Sequence, residues 1–145
     1  MDNEMTLTFL AIGENEQLAR MAITSFIAPL DPTIDQLSEV KTIVSEAVSN
    51  AIIHAYPQDR GQVTVTAKRR GNEITVSIKD FGIGIDEVMS AMEPLYTTKP
   101  EMERSGMGFT IMESFADDLI VESVVGKGTM ITFTKKIEAI FPAAM

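Results

Sequence analysis

The sequence predicts a two-layer α/β sandwich, in which a mixed, mainly antiparallel sheet of about five strands carries helices on one face. Two helical patterns rich in apolar residues extend over residues 14–30 and 33–55. Two pairs of alternating segments follow, and each pair is joined by a glycine-containing turn typical of a β-hairpin. A further alternating segment, residues 5–12, is expected to form an edge strand. The 145 residues are enough for one domain with a substantial core, predicted over residues 1–145.

The composition argues against several classes of function. A net charge of −9 repels nucleic acid phosphates, so direct nucleic acid binding is not expected and a basic protein partner is more plausible. No apolar run approaches the roughly 20 residues of a membrane-spanning helix, and the acidic start has no signal-peptide pattern. The absence of cysteine fits a reducing compartment. We therefore expect a cytoplasmic protein that does not associate with membranes.

The first helical pattern, residues 14–30, is amphipathic. Arg20 lies off its apolar stripe and is expected to face solvent. Pro29 and Pro32 end the pattern. The predicted buried stripe consists of Leu18, Met21, Ala22, Ser25, Phe26 and Leu30.

The second helical pattern, residues 33–55, begins at a predicted capping box, in which Thr33 is the N-cap and Gln36 stands three residues later. One broad apolar face follows at helical spacing and should pack on the sheet. It contains Leu37, Val40, Val44, Ala47, Val48, Ala51, Ile52 and Ala55.

The opposite side of this second helix carries a polar pair, Glu46 and Asn50, one turn apart. An exposed polar face is the simpler interpretation. However, Ile43 and Ile53 flank the pair on the same side, and a helix that is apolar on two sides is covered on two sides. Because unpaired burial of polar groups is unfavourable, the pair is predicted to meet a ligand or a partner.

Two hairpins supply the remaining strands. The basic run Lys68, Arg69 and Arg70 at the first hairpin is expected to be solvated and to hinder aggregation. The predicted strands are residues 63–68 and 73–79, joined at residues 70–72, and residues 119–125 and 129–135, joined at residues 126–128.

A glycine loop follows the second of these strands. Asp80 stands at the strand end, where its carboxylate can accept a hydrogen bond, and Gly82 and Gly84 allow a close approach to the backbone. The loop lacks the pattern of a phosphate-binding P-loop and the third glycine of a dinucleotide fingerprint. Taken alone, it is equally compatible with a plain turn.

The region between the hairpins contains a short helix candidate, residues 86–92, and then an aperiodic loop, residues 93–105. The length of the loop suggests a function. Gly106 and Gly108 then open a helix predicted over residues 109–115, and backbone N–H groups at such a helix start suit a phosphate. His54 is the only histidine, so a zinc site is not expected and a structural role is favoured.

These signals occur in one order that resembles the N, G1 and G2 boxes of the Bergerat-type ATP-binding fold, shared by gyrase, Hsp90, histidine kinases and MutL. The resemblance covers nearly the whole chain. It implies that ATP, with Mg²⁺, lies between helix and sheet under a lid. The boxes are Glu46-x-x-x-Asn50, Asp80-x-Gly82-x-Gly84, Gly106-x-Gly108 and Gly128-Thr129.

The resemblance implies a role for each box. Asp80 would accept a hydrogen bond from the adenine amino group, Asn50 would bind both nucleotide and Mg²⁺, and Glu46 would be the catalytic base. The other implied nucleotide-binding positions are Gly82, Gly84, Ile85, Thr97, Thr98, Lys99, Gly106, Met107, Gly108, Phe109, Thr110 and Thr129.

Within that superfamily, the chain resembles the bacterial anti-sigma factor serine kinases of the sporulation type, both in its length and in the sequence of residues 95–113. This resemblance implies a homodimer that binds a sigma factor of the sigma F type when ATP is bound. It also implies ATP-dependent phosphorylation of a serine on an anti-anti-sigma protein.

Two alternatives stay open. One is the ATP-binding catalytic domain of a histidine kinase, although its phospho-acceptor helix is not evident, and Phe109-Thr110 stands where that family tends to have Leu-Gly. The other is an ATP-dependent binding module without transfer activity. Such a module needs Asp80 but no base, so Glu46 separates it from a kinase.

Overall fold

The computed structural model describes residues 2–56, 61–85 and 108–139. Five strands and three α-helices form its regular structure in this part of the chain, and two short helical turns extend the first two helices. The elements are β1 (Asn3–Leu10), α1 (Glu14–Ile27) with a 3₁₀ turn (Ala28–Leu30), α2 (Ile34–Asn50) with a π-helical turn (Ala51–Ala55), β2 (Gln62–Arg70), β3 (Glu73–Asp80), α3 (Gly108–Phe115), β4 (Asp118–Val124) and β5 (Gly128–Lys136).

The strands form one sheet in the order β1-β2-β3-β5-β4, with β1 at an edge as predicted. All four pairings between the described strands are antiparallel, so the sheet has no parallel pair in this part of the chain. Along β2, β3 and β5 buried and less buried residues alternate, which gives the sheet one apolar face. The predicted two-layer α/β sandwich is confirmed.

The helices cover that apolar face. Helix α1 lies over β1 and β2, α2 lies over β3, and α3 lies beside β4. Helix α2 is in the middle of the layer and contacts both α1 and α3. Its apolar face is buried as predicted, and Ile43 on its other side is fully buried as well. The expectation that α2 is covered on two sides is therefore correct.

The capping box at the start of α2 is formed as predicted. The Gln36 N–H donates to Thr33 Oγ1 at 3.1 Å, and the Thr33 N–H donates to Gln36 Oε1 at 3.4 Å. An N-cap hydrogen bond of this kind contributes about 1 kcal/mol. The helix start is thus determined by residues only three positions apart.

The buried face of α1 differs from the predicted stripe. Ala19, Ile23 and Ile27 are buried against the sheet with Phe26, whereas Leu18 and Met21 are 46% and 58% exposed. The helix is apolar on two adjacent faces, and packing selects the face with the two isoleucines. Arg20 lies off the buried face as predicted, and its guanidinium is 3.6 Å from the Glu16 carboxylate.

The prediction of a solvated basic run at the first hairpin is wrong for Arg69, which is only 6% exposed. Strand alternation turns this side chain toward the helix layer, because β2 is an inner strand. Its guanidinium donates to the Phe26 carbonyl oxygen at 2.6 Å and lies 5.1 Å from the Phe26 ring centroid. Arg69 thereby satisfies a carbonyl near the C-terminal end of α1. Its neighbours Lys68 and Arg70 are exposed.

Candidate functional site

Three polar residues lie side by side at one end of the sheet, on the face that the helices cover. Asp80 of β3 is paired in register with Thr129 of β5, and Thr129 is paired with Ser123 of β4. Asp80 is 5% exposed and Thr129 is 6% exposed. These side chains are hydrogen-bonded to one another and to nearby backbone, and a polar row on an otherwise apolar face is a candidate binding site.

The Asp80 carboxylate receives two backbone hydrogen bonds, both at Oδ1. The Gly82 N–H donates at 3.0 Å and the Thr129 N–H donates at 3.2 Å. Oδ2 receives no hydrogen bond from the described residues, so it is available as an acceptor. Burial raises the pKa of the Asp80 carboxyl above its ordinary value, and the two N–H donors offset part of that rise.

The glycine loop after β3 is packed tightly against other protein backbone. A Cβ at Gly82 would overlap the Ala55 carbonyl oxygen, and a Cβ at Gly84, where φ is +78°, would overlap the Val124 carbonyl. The Ile83 N–H donates to the Ala55 carbonyl oxygen at 2.9 Å. Gly82 and Gly84 were expected to permit close approach of a ligand. The structure shows that they also permit close approach of the π-helical turn and of β4.

We expect Gly82→Ala to lower the melting temperature, because the added methyl group must displace the Ala55 carbonyl. Overpacking of this kind costs typically 1–3 kcal/mol. Thermal unfolding of the variant and the parent measures the effect. The matched control is Gly13→Ala at the start of α1, where φ is −53° and a Cβ meets no atom within 4 Å. Equal melting temperatures for Gly82→Ala and the parent would show that the loop moves aside freely.

Two residues that join the site were missed by the sequence analysis. The Tyr56 hydroxyl donates to the Gln62 carbonyl oxygen at 2.7 Å and accepts from the Phe81 N–H at 2.7 Å. The Ser123 hydroxyl accepts from the Ile85 N–H at 2.7 Å. Neither residue belongs to a motif. The hairpin register could have identified Ser123, because it places this serine opposite Thr129.

Glu46, the first residue of the polar pair on α2, lies beside the start of α3. Glu46 and Asn50 are both half-buried. A Cβ at Gly108, the first residue of α3, would lie 3.0 Å from Glu46 Oε2, so the glycine at this helix start lies close to the glutamate. Glu46 and Gly108 are 62 positions apart in the sequence, and the fold brings them together. The N-terminal end of α3 carries N–H groups that favour an anion at this point.

Several predicted nucleotide-binding residues have other surroundings or are not described. The Phe109 side chain is buried in the core, so only its backbone remains available to a ligand. Ile85 packs partly against the same core, and Thr110 is half-buried in the first turn of α3. Thr97, Thr98, Lys99, Gly106 and Met107 lie outside the described residues, as do the predicted helix 86–92 and loop 93–105.

The donor chemistry at Asn50 fits Mg²⁺ that arrives with a nucleotide. Within residues 2–56, 61–85 and 108–139, no three His, Cys, Asp or Glu side chains form a cluster that could hold a metal ion. Mg²⁺ usually keeps several waters and is bound by one or two side-chain oxygens together with substrate phosphates. The Asn50 amide oxygen is a hard ligand of this type. None of the helices in the described part of the chain is long and apolar enough to cross a bilayer.

The class of protein follows from a match to a family model. Residues 11–135 match the family described as "Histidine kinase-like ATPase domain". The fold agrees with a crystal structure of the RsbU and RsbW domains of a Mycobacterium tuberculosis protein, with a TM-score of 0.69 at 18% identity. That match covers 97% of this chain and 35% of the other chain. The chain belongs to the family of histidine kinase-like ATPase domains, and the predicted superfamily is confirmed.

Its relatives within that family include proteins named anti-sigma F factor. The protein of that name from Lysinibacillus sphaericus is 65% identical, and the match covers 100% of both chains. Those from Clostridium acetobutylicum and Geobacillus kaustophilus are each 52% identical. The Clostridium match covers 97% of this chain and 98% of the relative, and the Geobacillus match covers 94% of each. The predicted resemblance to this sporulation group is thereby confirmed.

Proposed function

We propose that this protein is an anti-sigma factor that binds ATP at the end of the sheet beneath α2 and α3, and transfers the γ-phosphate to a serine of an antagonist protein. The observation that carries the proposal is the Asp80 carboxylate, which is buried and fixed through Oδ1 while Oδ2 accepts no bond from the described residues. Family membership and the names of the relatives support the remaining parts.

Asp80 suits recognition of adenine. An ionised carboxylate only accepts hydrogen bonds, so Oδ2 pairs with a donor such as the adenine amino group. Guanine presents a keto oxygen at the same ring position, and two acceptors repel each other. Because the N–H groups of Gly82 and Thr129 hold Oδ1, the carboxylate is oriented before the ligand arrives.

The phosphates are proposed to lie between α2 and the start of α3. The N–H groups at Gly108 and Phe109 would donate to phosphate oxygens there. Asn50 would hold Mg²⁺, which supplies positive charge to the phosphate oxygens during transfer. The other phosphate contacts are predicted from the family resemblance alone. They are Thr97, Thr98, Lys99, Gly106 and Met107, together with Thr110, which lies on the same helix as Phe109.

Glu46 is proposed as the general base of the transfer. The serine oxygen forms a bond to the γ-phosphorus while the bond from that phosphorus to the bridging oxygen of ADP breaks, and the serine proton moves to the Glu46 carboxylate. The proximity of Glu46 Oε2 to Gly108 supports this role, because it brings the carboxylate next to the proposed phosphate site.

The partners follow from the relatives rather than from the site. Proteins that match this chain over their whole length are called anti-sigma F factors, so a sigma factor of that type is the proposed target. The same matches favour an anti-sigma factor over the histidine kinase alternative. The anti-anti-sigma substrate, the homodimer and the cytoplasmic location stay predictions from the family resemblance.

A transfer assay tests the proposal. The purified protein is incubated with γ-labelled ATP and an extract of a spore-forming bacterium, and the labelled partner is identified by mass spectrometry. We expect an acid-stable phosphoserine on one small protein. An acid-labile phosphohistidine would support the histidine kinase alternative instead. ATP binding without any labelled protein would support the alternative of a binding module without transfer activity. Absence of ATP binding would refute the proposal as a whole.

We expect Asn50→Ala to weaken the dependence of nucleotide binding on Mg²⁺, because the variant lacks the amide oxygen proposed as metal ligand. Titration calorimetry with ATP over a series of Mg²⁺ concentrations measures it. Asn72→Ala, at the exposed turn between β2 and β3, is the matched control. Identical Mg²⁺ curves for Asn50→Ala and the parent would remove Asn50 as a ligand.

A further inference from the structure

We propose that Ser123 is a positioning residue of the adenine site, which fixes the Thr129 hydroxyl as a hydrogen-bond acceptor and so contributes to the choice of adenine over a 6-keto purine. The inference rests on the proposed function, because it concerns the same nucleotide. It starts from the hydrogen bonds of the Ser123 hydroxyl, which contacts the Ile85 N–H, the Gly128 carbonyl oxygen and Thr129 Oγ1.

The three contacts determine the direction of each hydrogen bond. A serine hydroxyl has one proton and can accept two hydrogen bonds. The Ile85 N–H can only donate, at 2.7 Å, and the Gly128 carbonyl oxygen can only accept, at 3.1 Å. The Ser123 proton therefore goes to Gly128. The third contact, 2.9 Å to Thr129 Oγ1, forms together with the other two only if Thr129 donates.

The direction of that bond determines what Thr129 offers to a ligand. Once its proton points to Ser123, Thr129 Oγ1 has only lone pairs left. Thr129 is the cross-strand neighbour of Asp80, and its N–H donates to the same carboxylate. The site thus combines two acceptors, Asp80 Oδ2 and Thr129 Oγ1. An exocyclic amino group, which carries two N–H bonds, complements this pair, whereas a keto oxygen is repelled by it.

A second serine–threonine pair in the same sheet lacks this constraint. Ser77 Oγ lies 3.0 Å from Thr132 Oγ1, on neighbouring strands β3 and β5. Either hydroxyl can be the donor there, because no hydrogen bond to a further described group fixes the Ser77 proton. Both serines are half-buried. Ser77→Ala is therefore a control that matches Ser123→Ala in chemistry and burial.

The experiment compares ATP with inosine triphosphate, which has a keto oxygen in place of the 6-amino group and, as a result, an N1–H in place of the unprotonated N1 of adenine. Calorimetric affinities are measured for the parent, Ser123→Ala and Ser77→Ala. In Ser123→Ala the Thr129 proton is released and can donate to the keto oxygen. We expect the ratio of the ATP affinity to the inosine triphosphate affinity to fall about fivefold in Ser123→Ala, which is the effect of one net hydrogen bond. The preference should stay unchanged in Ser77→Ala, and Ser123→Thr should restore it.

Each other outcome has a defined meaning. If Ser123→Ala lowers the affinities for ATP and inosine triphosphate by the same factor, Ser123 only supports the structure and the inference is refuted. If Ser123→Ala does not fold, Ser123→Cys, with a similar shape but a weak donor, replaces it in the same comparison. A parent protein that binds both nucleotides equally would refute the adenine assignment of the proposed function itself. A parent that prefers ATP, with an unchanged preference in Ser123→Ala, would refute only the role of Ser123.

Discussion

Glu46→Gln should lower the rate of phosphate transfer to the serine partner by roughly 10²–10⁴, the range typical of losing general acid–base catalysis. The substitution keeps the size of the side chain and its ability to form hydrogen bonds but removes the proton acceptor. ATP affinity should change little, because a general base acts in the transition state rather than in the ground state. Single-turnover transfer and calorimetric ATP binding, measured on the same preparation, separate the two effects.

The control for this variant is Glu39→Gln on the same helix, whose carboxylate lies 3.9 Å from Lys135 Nζ and outside the proposed site. Normal transfer by Glu46→Gln would remove Glu46 from the mechanism. A parallel loss of transfer and ATP affinity would indicate that Glu46 orders Asn50 or the water shell of Mg²⁺. Phosphoryl transfer depends strongly on positioning and metal charge, so a lower transfer rate alone does not identify a base. The decisive quantity is the loss of transfer rate relative to the loss of ATP affinity.

Asp80→Asn should reduce ATP affinity by about 10- to 150-fold, since a hydrogen bond to a charged group is worth roughly 1.5–3 kcal/mol. The asparagine carbonyl oxygen can still accept the bonds from the Gly82 and Thr129 N–H groups. Its NH₂ group then replaces Oδ2 and faces the adenine amino group, donor against donor. Calorimetry with ATP measures the loss, and unchanged affinity would contradict the adenine assignment.

The same variant should have the opposite effect on the stability of the nucleotide-free protein. Burial raises the pKa of the Asp80 carboxyl above its ordinary value of 3.8, so the folded state favours the protonated form. The resulting stabilisation is complete below that ordinary value and is lost as the pH rises through the raised pKa. At neutral pH Asp80→Asn should therefore melt at a higher temperature than the parent, and the difference should shrink toward acidic pH. A lower melting temperature of the variant at neutral pH would contradict this.

The features that the sequence determined by itself depend on residues close together in the chain. The Thr33 and Gln36 capping box spans three positions, and the hairpin turns depend on glycines such as Gly71 and Gly126, both with positive φ. Such signals act within one helical turn or at one strand end, so they can be predicted from the sequence without knowledge of the tertiary structure. The ordered boxes around Asn50 and Asp80 are also local, which is why they predicted the family correctly.

Other features were decided only by contacts between distant parts of the chain. Helix α1 has two apolar faces, and its periodicity could not show that Ile23 and Ile27, rather than Leu18 and Met21, face the sheet. The burial of Arg69 depends on the Phe26 carbonyl, 43 positions away. Both outcomes depend on which surfaces become adjacent when helix and sheet pack, and that is a property of the whole arrangement.

The candidate site shows the same division. The sequence identified Asp80 and Thr129 through their motifs, but a motif does not specify the groups that orient them. Tyr56 and Ser123 became part of the site only when β2, β4 and the glycine loop were brought together. Gly82 is required because the Ala55 carbonyl passes close to it. Hydrogen bonds and steric contacts of this kind act over a few ångströms in space, so only the tertiary structure determines which residues make them.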